Sequence, residues 1–132
     1  MSQENVDAVR AIYEEWARGN FRAGVELYDA RVLYVPLRDI LEAGHYVGPE
    51  GVRQYMSGQL QAWETLTITA EEFVVAGDSV VATARWRGVG RESGAPVEWE
   101  GFHVWSFRGR NVIRLELFGN HAEALEAVGL AE

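Results

Sequence analysis

Residues 98–118 read EWEGFHVWSFRGRNVIRLELF. Two arms rich in β-branched and aromatic residues flank Gly109-Arg110, the pattern of two strands around a tight turn, and a two-residue loop with glycine first suits a type II′ hairpin. Counting outward from that loop pairs Phe107 with Val112, Trp105 with Arg114, and His103 with Glu116. Directly opposed residues share a face, with Cβ atoms about 4.5–5.5 Å apart. An imidazole and a carboxylate are therefore expected side by side in the middle of an apolar hairpin.

The preceding hairpin can be registered by its charges. A four-residue loop over 91–94 sets Arg87 against Glu98 and Arg85 against Glu100, whereas a slip of one residue loses both pairs. That face is then polar. Alternation sends Trp86, Trp99, His103 and Trp105 to the other face, together with Arg114, Glu116 and Phe118 of the last strand.

The rest of the chain supplies what covers that face. In residues 3–20 the apolar Val6, Val9, Tyr13 and Trp16 recur at helical spacing, and Gly19 is placed to end the helix with positive φ. A second short helix is expected over FRAGVELYD (21–29), presenting Phe21, Val25 and Tyr28. A strand follows in ARVLYVPL, closed by Pro36. Residues 38–48 have no periodicity and read as a loop or broken strand. The third helix starts at GPEGVR, with Pro49 at its first position and Glu50 near the positive end of the dipole; its buried stripe is Val52, Tyr55, Gln59 or Leu60, and Trp63. Strands then follow over 65–76, 79–90, 96–107 and 111–118. Asn120 and Glu123 form a capping-box pattern for a short closing helix. Helices first and antiparallel strands afterwards give an α+β class, with helices on one face of a curved sheet, in a single domain spanning 1–132.

Composition narrows the chemistry. The chain has 132 residues, no cysteine and a formal net charge of −8. Absence of cysteine removes disulfides, thiolate metal sites and thiol nucleophiles. All of the basic residues are arginine, so Schiff-base chemistry and a Walker-type phosphate loop, which need a lysine, are excluded. Scattered arginines on an acidic chain do not make a nucleic-acid-binding patch. No run of about 18 apolar residues or charged leader is present, and a soluble cytoplasmic protein with no membrane partner is expected.

The order of helices, the YVPL strand, the GPEGVR helix start and the ending FRGRNVIRLELFGNHAEALEAVGL together resemble the SnoaL-like branch of the nuclear-transport-factor-2-like superfamily. The resemblance implies a cone-shaped roll: a strongly curved, mainly antiparallel sheet wrapped around three helices of the N-terminal half, with a short C-terminal helix. It also implies a pocket inside the cone and a homodimer through sheet surfaces. Ketosteroid isomerases, limonene-epoxide hydrolases, polyketide cyclases and non-catalytic binding domains share this fold. By this resemblance His103 takes the place of the isomerases' protonated, oxyanion-donating Asp, while their general-base Asp falls at or beside Tyr34 or Val35, and their helix-one Tyr nearest Ile12, one place from Tyr13. Glu116 takes the place of the last-strand Asp of epoxide hydrolases and SnoaL-like cyclases. Tyr34 lies near the hydrolases' water-positioning Asn, and their Arg and second Asp have no counterpart in VVATARW.

The expected reading is a cofactor-independent acid/base enzyme of isomerase, cyclase or lyase type acting on a hydrophobic, carbonyl-bearing metabolite. Glu116 moves a proton, His103 orients it or donates to an oxyanion, and Tyr34 positions the substrate. Trp16, Tyr55, Trp63, Trp86, Trp99, Trp105 and Phe118 form the ligand-binding wall. No metal or cofactor is expected, since His45 and His121 lie outside the proposed cavity. A non-catalytic ligand-binding or dimerisation domain is the rival reading, and an epoxide hydrolase a third.

Overall fold

The computed structural model describes residues 2–36 and 46–130. Helix α1 (Ser2–Ala17) is followed by a single 3-10 turn at Val25–Leu27, strand β1 (Tyr28–Val35), the short strand β2 (Tyr46–Val47) and helix α2 (Gly48–Ala62). Four long antiparallel strands come next, β3 (Trp63–Ala76), β4 (Ser79–Gly90), β5 (Pro96–Arg108) and β6 (Asn111–Phe118), before helix α3 (His121–Ala127). They form one curved, six-stranded sheet in the order β2-β1-β6-β5-β4-β3, in which β1 and β6 run parallel and every other pair is antiparallel. This is the α+β roll expected from the sequence.

Local chemistry sets the element boundaries. Gly19 ends α1 at a φ of 90°, and Pro36 follows β1 where a further ladder donor would be needed. The expected second helix shrinks to one 3-10 turn. Its Gly24 adopts a φ of 95°, and a Cβ there would stand 2.7 Å from Ile12 Cδ1, so the backbone turns sharply against α1 and the helix stops. The Asn120 side chain accepts a hydrogen bond from Glu123 N at 3.1 Å, capping α3 as its sequence implies. Most of the aperiodic 38–48 segment, with His45, lies outside the described residues, and its end forms β2 and the start of α2.

The β4–β5 register agrees with the charge count. Arg85 opposes Glu100 and Arg87 opposes Glu98, with N–O distances of 3.3 and 2.8 Å. These pairs are exposed, and each contributes only a few tenths of a kcal/mol, but together they fix which face of β4 and β5 turns inward. The inner face buries Val80, Ala82, Ala84, Trp86, Trp105 and Phe107 against Val6, Val9, Ile12, Tyr13 and Trp16 of α1. The opposite face carries a smaller cluster of Val81, Phe102 and Val104 with Ala124 of α3. Among the described residues no helix is long and apolar enough to cross a membrane.

Candidate functional site: an aromatic cavity around His103

The β5–β6 hairpin turns at Gly109, whose φ is 62°, and Phe107 opposes Val112 as counted from the turn. One step further the register shifts. Ser106 opposes Arg114, so Ile113 is an extra residue in β6, and beyond this bulge Trp105 faces Leu115 and His103 faces Leu117. A one-residue insertion sends every later side chain to the other face.

The expected His103–Glu116 pair therefore does not exist. Glu116 opposes Val104 on the α3 side of the sheet and forms an ion pair with Arg114, which the same bulge moves outward, at 2.8 Å. Phe118, expected in the ligand wall, opposes Phe102 and packs on the outer cluster beside α3.

His103 itself is inward and 1% exposed. Its Nδ1 lies 2.6 Å from the Tyr13 hydroxyl, and that hydroxyl accepts a hydrogen bond from Trp105 Nε1 at 3.0 Å. Rings enclose the imidazole: Trp86 meets it edge-on at 5.2 Å between centroids, and Trp16 and Trp105 do so at 6.1 Å. Burial alone pulls the His103 pKa down from its usual value to about 3, because the charged form loses its water and finds no anion.

His103 borders a cavity of about 60 Å³ between the sheet and α2. Tyr34, Tyr55 and Gln59 bring the other polar groups, and Phe21, Met56, Leu66, Ile68, Trp86, Trp99 and Leu117 are among its apolar lining. The Tyr34 and Tyr55 rings sit 4.6 Å apart. Burial, then the neighbouring Tyr55, raise the Tyr34 pKa well above that of an ordinary phenol, so Tyr34 stays protonated. No carboxylate of the described residues lines this space.

Five of the residues singled out in the sequence, Tyr34, Tyr55, Trp86, Trp99 and His103, thus meet in one cavity wall. Trp16 and Trp105 are fully buried in the core beside His103, and neither borders the cavity. Trp63 is not on α2 but opens β3, where its ring packs on Trp99 at 5.5 Å. The position of Tyr13 against His103 was missed, because helical spacing marks it as buried without saying what its hydroxyl meets. His121 is exposed, stacked on Phe102 at 4.9 Å. Among the described residues no group of three or more His, Asp or Glu converges on a point that could hold a metal ion.

A larger cleft of about 980 Å³ lies on the opposite face between β6 and α3, bordered by Ser79, Ser106, Arg114, Glu116, Asn120 and Glu123 among others. Volume alone would favour it. Its ionic groups are satisfied or solvated, however, with Arg114 and Glu116 bound to each other. The smaller cavity holds the buried polar groups and the strongly perturbed imidazole, and these are what mark a site.

A curved sheet closed by helices over an interior cavity defines the nuclear-transport-factor-2-like class of fold. Within it the chain belongs to the SnoaL-like domain family, whose model matches residues 9–115. Among solved structures, an NTF2-like protein of unknown function from Burkholderia pseudomallei aligns at 19% identity over 95% of this chain and 97% of its own, with a TM-score of 0.78. A provisionally assigned SnoaL-like polyketide cyclase from Jannaschia aligns at 19% identity over 99% and 94%, with a TM-score of 0.77. TerC, co-crystallised with polyporic acid, aligns at 17% identity over 94% and 96%, with a TM-score of 0.76. At these identities the likeness establishes the fold. No curated protein matches the chain in sequence.

Proposed function

We propose that the protein binds a small, apolar, carbonyl-bearing molecule whose oxygen enters the narrow cavity bounded by His103, Tyr34 and Tyr55 while its apolar body occupies the groove of about 720 Å³ along α2, which shares Phe21, Met56 and Leu60 with that cavity. The observation that carries this reading is a fully buried imidazole at the wall of an aromatic-lined space that holds no carboxylate among the described residues. With its pKa at about 3, His103 is uncharged at neutral pH, and Tyr34 keeps its proton. A site of neutral polar groups on an apolar wall suits a neutral ligand with one or two oxygen acceptors. The relatives described as a polyketide cyclase and as crystallised with polyporic acid are consistent with that ligand class.

Turnover is the second reading, and the neutral donor set favours one form of it. His103 would donate to the oxygen of a ligand on which negative charge develops, the role of an oxyanion site in isomerase or cyclase chemistry, with the hydrogen-bonded Tyr34–Tyr55 pair beside it. Glu116 has no part in this, because it lies across the sheet. Epoxide hydrolysis gains no support from a cavity whose described lining holds no carboxylate.

The test is a panel of planar ketones and quinones followed by quenching of tryptophan fluorescence. Ile68→Trp, which fills the inner cavity and does not border the cleft beside α3, should weaken binding at least about tenfold, equivalent to about 1.4 kcal/mol, and Glu116→Gln should leave it unchanged. The reverse pattern would move the site to the cleft beside α3.

A further inference from the structure

We infer that Trp105 and Tyr13 act as a relay that locks His103 in the tautomer carrying its proton on Nε2, so that the cavity selects a ligand by a hydrogen-bond acceptor. This rests on the inner cavity being the ligand site.

Indole Nε1–H can only donate, so the Tyr13 oxygen accepts at 3.0 Å. A phenol has one hydrogen, and with its oxygen already accepting from Trp105 that hydrogen is left for the second partner, His103 Nδ1 at 2.6 Å. The reverse assignment, Nδ1–H donating to Tyr13, would give the hydroxyl two donors and leave its own hydrogen without an acceptor among the described residues. Tyr13 does not border the cavity, so stranding its hydrogen would cost about 1–3 kcal/mol, whereas His103 borders the cavity and its Nε2 is not among the enclosed unpartnered atoms of the described residues, so a hydrogen there can be met from the cavity. Nδ1 is then an acceptor already in use, and a neutral imidazole whose Nδ1 accepts bears its hydrogen on Nε2.

Of the titratable and charged groups facing His103, Tyr13 comes from α1, Tyr34 from β1 and Tyr55 from α2. An ordinary phenol is uncharged at neutral pH, and burial raises Tyr13 and Tyr34 further. A cation entering the cavity would meet no counter-charge among the described residues, and an amine would oppose its hydrogens to the imidazole N–H. A ketone oxygen would meet that hydrogen. Tyr13 is accordingly a positioning residue, since it touches His103 and does not border the cavity.

The tautomer is read by long-range ¹H–¹⁵N spectra of the His103 ring in the wild-type protein, which need no ligand. A pattern with the proton on Nε2 supports the relay; one with the proton on Nδ1 overturns it. Tyr13→Phe, if folded, should replace the single tautomer by exchange between two, and an unchanged single-tautomer spectrum would overturn the positioning role. Selection is then tested with 4-phenyl-2-butanone against its amine analogue. The ketone should bind at least about tenfold more tightly, with its carbonyl stretch moved to lower frequency in the wild type but not in His103→Ala. Equal binding of the amine overturns the selectivity. An Nε2 proton with neither probe bound supports the relay and counts instead against the proposed function.

Discussion

Tyr13 on the first helix and His103 on the fifth strand, 90 positions apart in the chain, are joined by a 2.6 Å hydrogen bond in the centre of the core. Trp105 completes the connection from the same strand as His103. Trp105 Nε1, the Tyr13 hydroxyl and His103 Nδ1 are thereby buried with partners, and His103 also borders the cavity. The arrangement links stability to function, because the contacts that make burial tolerable also orient the group available to a ligand.

Breaking that connection should be costly. Tyr13→Phe leaves Trp105 Nε1 and His103 Nδ1 without partners, and at about 1–3 kcal/mol for each stranded group the expected loss is about 2–6 kcal/mol in urea unfolding. Glu116→Gln weakens an ion pair whose Arg114 and Glu116 side chains are 46% and 15% exposed, and because Gln keeps an acceptor for the guanidinium the loss should be about 1 kcal/mol or less. Similar losses for the two would contradict the placement of Glu116.

Acid should destabilise the fold in a defined window. The His103 pKa is about 3 when folded and about 6.5 when unfolded, so the unfolded state takes up the proton first. Above pH ~6.5 neither state is charged there and the group has no effect. As pH falls from about 6.5 towards 3, stability should drop by up to about 1.4 kcal/mol per pH unit from this residue. His103→Gln should flatten the slope measured by denaturant titration at pH 7, 6, 5 and 4.

Gly101 on β5 is predicted to tolerate no side chain. A Cβ there would stand 2.9 Å from Trp86 Cζ3 and 3.2 Å from Leu117 Cδ1, both residues of the cavity wall. Gly101→Ala should cost about 1–3 kcal/mol through overpacking and reduce affinity for any cavity ligand. Thermal unfolding and the ketone titration check the two effects.

Met56, Phe21 and Leu60 border both the inner cavity and an outer groove of about 720 Å³ along α2. Because the inner space is small and Met is the most adaptable of the three, Met56 should control entry. Met56→Ala is expected to raise the association rate of a ketone probe, and Met56→Trp to lower it, each by about one decade in stopped-flow fluorescence.

The elements were legible in the sequence wherever period or charge spoke for more than one residue at a time. Paired arginines and glutamates fixed the β4–β5 register, and helical spacing brought Val6, Val9, Tyr13 and Trp16 inward. The last hairpin misled because one rule was carried too far. Counting from the Gly109 turn is correct for Phe107 and Val112 and fails after the bulge at Ile113. The alternation in IRLEL already carried the answer: Ile113, Leu115 and Leu117 are apolar while Arg114 and Glu116 are charged, so a half-buried strand should turn both charges outward. Burial pattern outweighs turn counting when the two disagree, because the cost of an inward charge far exceeds that of a bulge. The Tyr13–His103 bond was illegible, since it depends on how α1 is set over the sheet.

The most direct test of this account is an NMR titration of the His103 ring. It predicts an imidazole that stays neutral from pH 8 to about pH 4, in keeping with burial among uncharged groups. A midpoint near 6.5 or above would contradict it, because it would mean that the ring is solvated or sits beside a carboxylate.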